Sequence, residues 1–472
     1  MARFKPYRLD QPMLLPECLD DYVPAGHLAK LVHGVVEELD TGRIEEKYSD
    51  LGQRTYHPKI LAKILFYGYA VGERSGRKLA SRCETDTAYM YLAQGYRPDF
   101  RTINDFRKNN LSELSGYFVE IVRIMRDMGI LELGRINIDS TKLKANASRG
   151  RSKSEKEYRE WLDRVKERVD EMLREAGEVD AEEDRLYGDK RGDELPEDIN
   201  TDEKMKRKLK EVMKRFKGGK KKVNLTDPDA QFVRERHGRI EIGYNCHAAV
   251  SENQLIVCGD ITEEVNDRKA LPGLVEGVEA VLGEVVEEVV ADSGYSSYET
   301  YEYLAGRGKI GYIPDQGMFC AERFGIGAYD GSRFTYDEPR DEYICPEGHH
   351  LRRSSERRAV GGRKVDQVVY RGVECQSCSK KALCTRDKVR RLTIDRRKIL
   401  VDEMRARLRS EEGQSKYQKR LHTVEPIFGH IKHNMGFRQF LLRSLEKVRG
   451  EFKLICIGYN LKRLNRLLAS TG

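Results

Sequence analysis

Two short apolar runs, far apart in the chain, each lead into an aspartate: Arg135-Ile-Asn-Ile-Asp139, and Val285 to Ala291 followed by Asp292. Runs this short, alternating or continuously apolar, suit buried strands better than helices. Small or polar residues follow both, Ser140-Thr141 in one case and Ser293-Gly294 in the other. Between and beyond them the pattern predicts strands at Ile240 to Val250 and Gln254 to Ile261, separated by the turn-prone Ser251-Glu252-Asn253. Helices are predicted at Ala270 to Leu282 and Tyr298 to Ala305, and a short strand at Ile310 to Ile313. Strand, hairpin, helix, strand, helix, strand is the order of a mixed α/β sheet. In open sheets of that class chemistry gathers at the carboxyl ends of strands. Two aspartates at neighbouring strand ends repel unless a cation lies between them, and a hard divalent ion with oxygen ligands is the usual answer. The alternative is that each aspartate only ends a strand or caps the next helix.

At 472 residues the chain is too long for one simple core, so two to four structural units are expected. Residues 1 to about 130 predict helices. Leu28, Leu31, Val32, Val35 and Val36 recur at helical spacing, and a second helix opens at His57-Pro58 and runs through Tyr69 until Gly72 and Gly76 break it. Ser75 to Cys83 and Thr102 to Asn110 predict two more. Their basic residues Arg77, Lys78, Arg82, Arg101 and Arg107 suit a DNA-reading helical domain, and equally a bundle with solvated cations. The formal charge of +8 is a mild excess for this size, so partners must be argued from where charge sits.

No apolar segment follows the first residues, and the longest apolar stretch, Ile64 to Val71, is far short of a membrane span. A cytoplasmic location without a membrane partner is therefore expected. In that compartment the ten cysteines are reduced thiols or metal ligands.

Two segments interrupt the predicted sheet. In residues 149–222, 44 of 74 are charged, 23 basic and 21 acidic. Tyr158, Leu162, Val165, Val169 and Met172, then Met205, Leu209, Val212 and Phe216, fall at steps of three and four, with Gly188, Gly192 and Pro196 between. That pattern predicts a helical hairpin with a coiled-coil-like seam, or an arm seeking a partner; its balanced charge argues against a nucleic-acid clamp, with Lys220-Lys221-Lys222 the exception. The second segment, Asp315 to about Leu392, is rich in glycine, arginine and cysteine and is expected to be loop-rich. Within it Cys375-x2-Cys378-x5-Cys384, with Cys345 upstream, has spacing compatible with a tetrahedral structural Zn²⁺ site, in which His349 or His350 could replace Cys345 or Cys384. The nearby Arg352, Arg353, Arg357, Arg358, Arg386, Arg390 and Arg391 suit contact with DNA phosphates. Cys18, Cys83, Cys246, Cys258 and Cys456 sit in apolar patterns and are expected in cores, while Cys320 stays unassigned.

Helix returns at Tyr417 to Asn434 and Ser444 to Leu468. Tyr417, Arg420, Glu425 and Lys432 form a constellation in the first of these, with Glu425 and Lys432 seven residues apart, two turns along one helical face. Pro426 can open a helix and leave Glu425 at its N-terminal end, where it would complete a metal site beside phosphate-holding Arg420 and Lys432. A surface ion pair is the alternative for Glu425 and Lys432.

Taken together these motifs resemble the bacterial insertion-sequence transposases with a DDE catalytic domain of ribonuclease H-like fold, in the branch with an N-terminal helical domain and a cysteine-bearing insertion. The resemblance covers nearly the whole chain. It rests on Tyr56-His-Pro58 through residues 68–70, Asp99-Phe-Arg-Thr-Ile103 through Phe106-Arg107, and Ile138-Asp-Ser-Thr141. It rests further on Thr226-Asp-Pro-Asp229, Gly243-Tyr-Asn245, Ala291-Asp-Ser-Gly-Tyr295 and Val424-Glu-Pro426 through Phe428-Gly429 and Lys432. A related signature spaces tyrosine, arginine, glutamate and lysine with two, three and six residues between them; here two, four and six intervene.

The resemblance implies that Asp139, Asp292 and Glu425 hold Mg²⁺ or Mn²⁺ for two-metal phosphoryl transfer on double-stranded DNA, namely transposon terminal inverted repeats and target DNA. It also implies a homo-oligomer in a synaptic complex and a nucleoid-associated, cytoplasmic protein. The division expected is a helical DNA-binding domain at 1–130, a ribonuclease H-like core at 131–148, 223–314 and 393–440, a charged helical hairpin at 149–222, a zinc-ribbon-like insertion at 315–392 and a C-terminal helix at 441–472. Two other functions fit the same residues. One is a metal-dependent nuclease without strand transfer. The other is a non-catalytic DNA binder derived from a transposase, which would have no need of three acidic residues.

Overall fold

A computed structural model describes residues 18–48, 55–131, 134–164, 202–216, 221–234, 238–318, 327–360 and 363–471. Cys320, Lys220, Val165, Val169 and Met172, and the Gly188, Gly192 and Pro196 link of the expected hairpin, lie outside them. The chain is mixed α/β and divides into two compact units. One holds 1–132, 140–265 and 426–472, and the other 133–139 and 266–425.

In the first unit the predicted helices form at Leu28–Glu37, Pro58–Val71, Gly76–Thr85 and Phe100–Asn109. Proline opens the second, and Gly72 closes it at φ +86, the left-handed region that favours glycine. Gly76 does not merely break the chain: it starts the next helix, with the Ser75 hydroxyl accepting from the Lys78 N–H. A long helix, Leu111–Asp127, goes beyond the sequence expectation; it buries Leu114, Tyr117, Phe118, Ile121, Val122 and Met125 on one stripe. The C-terminal helix Leu445–Thr471 packs on Pro58–Val71, on Leu111–Asp127 and on strand Ile256–Thr262. The crossing is close, since a Cβ on Gly458 would sit 2.6 Å from the Tyr69 carbonyl carbon. Strand Ile240–Val250 pairs antiparallel with Gln231–Arg234 along its first residues and with Ile256–Thr262 along its last.

Part of the charged segment folds in this unit. Helices Glu155–Arg164 and Asp202–Phe216 meet a two-stranded ribbon, Ser152–Lys153 with Val223–Asn224, over a small core of Tyr158, Leu209, Val212, Phe216, Val223 and Leu225. Tyr158 fixes it by donating its hydroxyl to the carbonyls of Arg151 and Val223 at 2.9 and 3.0 Å.

The second unit is built on parallel strands. Arg135 to Ile138 pairs with Glu288–Ala291, which pairs in turn with Ile310–Tyr312. Helix Ala270–Leu282 has the bounds its apolar pattern predicts, and helix Tyr298–Gly306 packs on Lys398–Arg409. Strand Arg135–Lys144 does not stop at Asp139 as expected but continues five residues further, with Thr141 and Leu143 buried.

The segment expected to be loop-rich is instead a second sheet. Thr335–Asp337, Glu342–Ile344, His350–Val360, Arg363–Gly372 and Arg391–Asp395 form five antiparallel strands. Among the described residues no helix is long and apolar enough to cross a membrane.

Candidate active site

The parallel pairing decides where the two aspartates go. Ile138 and Ala291 are partners in adjacent strands, so Asp139 and Asp292, each the next residue, emerge side by side at the same end of the sheet. Asp292 also caps the short turn Ser293–Tyr295, where its carboxylate accepts the Gly294 N–H at 3.0 Å. The capping alternative raised from the sequence is therefore real for Asp292.

The third acid arrives by a helix. Glu411–Thr423 packs on strands Glu288–Ala291 and Ile310–Tyr312, where Lys416 pairs with Glu288 and donates to the Tyr312 hydroxyl at 3.2 Å. One turn on, Arg420 reaches both partners: its guanidinium lies 3.6 Å from an Asp139 oxygen and 3.9 Å from a Glu425 oxygen. Arg420 is 6% exposed, Asp139 13% and Glu425 41%, so the arginine sits beneath and the glutamate faces outward. Tyr417 lies under the guanidinium, with its ring centroid 5.6 Å away. Burial pushes the Tyr417 phenol above its ordinary value; Arg420 opposes that, and the charges of Asp292 and Asp139 add to it.

Glu425 opens the helix Glu425–Gly429, as its position before Pro426 predicts. The register beyond it does not hold. Residues His430–Asn434 form a π turn, so Lys432 does not follow Glu425 by two α-helical turns.

Two neighbours of the acids were not picked out from sequence. Asp267 is one: a Cβ on Gly294 would lie 2.9 Å from an Asp267 oxygen and 3.0 Å from an Asp292 oxygen, so both carboxylates crowd the same glycine. Only glycine allows that approach. Asn137 is the other. It stands two residues before Asp139 on one strand face, is 1% exposed, and neither amide atom has a hydrogen-bond partner. Its position inside an apolar alternation was a legible signal; the loop that carries Asp267 offers none.

The donors at this end are hard oxygens held around one positive charge, which suits Mg²⁺ or Mn²⁺ in kind. Among the described residues no three His, Cys, Asp or Glu side chains already stand as a finished ligand set. Magnesium sites of this sort take part of their coordination from water and substrate phosphates.

The DNA-contact residues expected in the N-terminal helices lie in the first unit. Arg77, Lys78, Arg82 and Arg101 are exposed; Arg77 and Arg101 flank the Phe100 ring, and Arg82 faces Asp86 at 3.3 Å. Arg107 is half-buried and donates to the Arg74 carbonyl at 2.8 Å and to Asn104 at 3.1 Å. Lys432 is half-buried, with its carbonyl accepting from Arg438 at 3.2 Å. Cys345, Cys375, Cys378 and Cys384 gather around one small cavity in the second unit.

Two family models match the chain. Residues 344–465 match "Transposase DDE domain", a stretch that includes Arg420, Glu425 and the four clustered cysteines, whereas Asp139 and Asp292 lie outside it. Residues 17–109 match "Transposase domain (DUF772)", which spans the N-terminal helices. No curated protein matches the chain. Transposase models matching two separate stretches of the chain indicate an insertion-sequence transposase of the DDE type.

Proposed function

We propose that this transposase cleaves DNA at the ends of its own element and joins them to target DNA, with Asp139, Asp292 and Glu425 as the catalytic acids of a ribonuclease H-like core. The observation that carries the reading is the convergence of Asp139 and Glu425 on buried Arg420, beside the in-register Asp292. This arrangement makes little sense as a surface ion pair, because the arginine is buried and two carboxylates, Asp139 and Glu425, share it.

The carboxylates would hold divalent cations, which supply a lowered pKa for the attacking water or 3′-hydroxyl and charge stabilisation for the leaving oxygen. The chain's own residues do the rest. Asp139 and Asp292 are fixed by strand register, and Glu425 is carried in on the helix that follows Lys416 and Arg420. Arg420 offers its charge to a phosphate as the acids take up metal. Arg77, Lys78, Arg82 and Arg101 give exposed cations for the DNA backbone. Two ends must be brought together, so the working form is a homo-oligomer on paired terminal inverted repeats. The five-part division given above accompanies this reading, as does a cytoplasmic, nucleoid-associated location. The thiol cluster takes no part in the chemistry.

The test is a labelled element-end duplex incubated with a target plasmid and Mg²⁺ or Mn²⁺. Wild-type protein should yield joined product, while a folded Asp292→Ala protein should bind the duplex and leave it uncut. Nicks without joining would reduce the reading to a nuclease, and binding lost as fully as cleavage would remove Asp292 from the catalytic set.

A further inference from the structure

The five-stranded sheet of the second unit rests on a thin core. Phe334, Leu351, Val368, Tyr370 and Leu392 form its buried apolar cluster, with Tyr343, Cys345 and Ile394 packed against them. So few apolar side chains stabilise a sheet of this size poorly, and small cores of that kind are commonly stapled by a metal or by disulfides. The four cysteines at its end are free thiols.

Those thiols come from three separate places. Cys345 follows strand Glu342–Ile344, Cys375 and Cys378 follow strand Arg363–Gly372, and Cys384 ends the short helix Lys381–Cys384. They line a cavity of about 20 Å³, room for roughly one water-sized occupant. Two of the sulfurs already accept backbone N–H groups, Cys345 from His349 at 3.3 Å and Cys375 from Arg390 at 3.4 Å. The turn that aims the first of them is closed by the Gly348 N–H on the Cys345 carbonyl at 2.8 Å, with Gly348 at φ +83. The second sulfur lies against Gly372, where any Cβ would collide with it. Arg390 also donates to the Cys384 carbonyl at 3.3 Å, and Lys381 borders the same cavity. Both supply positive charge where four thiolates on a divalent ion leave a negative excess.

We infer that Cys345, Cys375, Cys378 and Cys384 bind one structural Zn²⁺ ion that pins three loop ends to the sheet. Four thiolates leave no open position, so the ion does no chemistry. As placed, the sulfurs are not yet a finished ligand set, so the site requires the cysteine side chains to turn about χ1 into the cavity when the ion binds. His349 and His350 also border the cavity, with Nδ1 of each ring turned to Glu374 at 2.7 Å and Glu342 at 3.0 Å. Four thiols already supply a tetrahedral set without them. The inference is independent of the transposition chemistry.

The full-length chain, expressed with zinc supplied and purified without chelator, should contain about one zinc per chain. The content should fall at least about tenfold in Cys375→Ser/Cys378→Ser and stay unchanged in Cys18→Ser, whose thiol is exposed elsewhere. A second measurement guards against misfolding of the double variant: Co²⁺ exchanged into wild-type protein should show the thiolate charge-transfer and ligand-field bands of a tetrahedral site. Zinc retained by the double variant overturns the inference. So does wild-type protein that holds no zinc and gives no cobalt–thiolate bands.

Discussion

Arg420 holds its guanidinium 3.6 Å from the Asp139 carboxylate, and two of its buried nitrogens, Nε and Nη1, make no hydrogen bond. It is kept there by charge more than by hydrogen-bond geometry. On the function proposed above, a cation lodged among these acids is a stand-in that lets Asp139 and Glu425 coexist in the absence of metal. Arg420→Met removes the stand-in. The metal-free variant should lose about 1–2 kcal/mol of stability, kept small because Glu425 is largely open to solvent. Mg²⁺ should restore part of it by binding the folded form. Thermal melts in EDTA and in Mg²⁺ measure both effects. A variant that melts like wild type in EDTA would show that the acids do not share Arg420's charge.

Asp267 shares the Gly294 cradle with Asp292. A carboxylate that close orients a metal-bearing neighbour through its field or through water. Asp267→Asn should therefore slow cleavage by about 10- to 100-fold and raise the Mn²⁺ concentration needed, while leaving duplex affinity unchanged. Titrating Mn²⁺ against cleavage rate in both proteins decides it; identical curves would make Asp267 a bystander.

The core strands were legible because burial on one or both faces writes itself as apolar runs: Ile136, Ile138, Val289 and Val290 could hardly be loop residues. The helix Leu111–Asp127 went beyond the expectation, although its buried stripe of Leu114, Phe118, Ile121 and Met125 follows the same helical spacing. The second sheet was not legible. Strand His350–Val360 reads His-Leu-Arg-Arg-Ser-Ser-Glu-Arg-Arg-Ala-Val, in which, among the described side chains, Leu351 alone belongs to the core, so hydrophobic alternation has almost nothing to act on. Those arginines pair within the sheet, Arg353 with Asp341 and Arg358 with Asp366, and that is invisible without the register. Asp139 and Asp292 could be nominated from their strands, but their adjacency is a property of pairing. Glu425 needed the resemblance, since nothing in a glutamate before a proline marks it as an acid of the site.

Glu451 is fully buried in the first unit, and its carboxylate accepts the N–H groups of Leu441 and Leu442 at 2.9 to 3.0 Å while Arg74 pairs with it at 3.2 Å. It thus fixes the turn that leads into the C-terminal helix. Glu451→Ala strands Arg74 and two backbone donors in a dry environment. A loss of about 3–5 kcal/mol in chemical denaturation is expected, with Glu451→Gln costing less because its amide oxygen still accepts. Equal effects of the two substitutions would place the cost in packing and not in the hydrogen bonds.

Asp315 and Arg405 make a two-pronged pair at 2.7 and 2.8 Å in the second unit. Burial alone pushes the Asp315 carboxyl up; the Arg405 hydrogen bonds and charge outweigh it, helped by the N–H groups of Gly317 and Met318, and hold it below the usual aspartate value. A carboxyl depressed in the folded state binds its proton more readily when unfolded. Its contribution is therefore complete above the ordinary aspartate pKa and disappears as pH falls through the lowered folded value. Arg405→Leu should cost about 2 kcal/mol at neutral pH, and the gap between variant and wild type should close as the solution is taken below the ordinary aspartate range. Paired denaturation curves across that window measure the gap. A difference that persists undiminished into strong acid would assign the effect of the substitution to lost packing around the Arg405 stem, because no charge on Asp315 would remain to account for it.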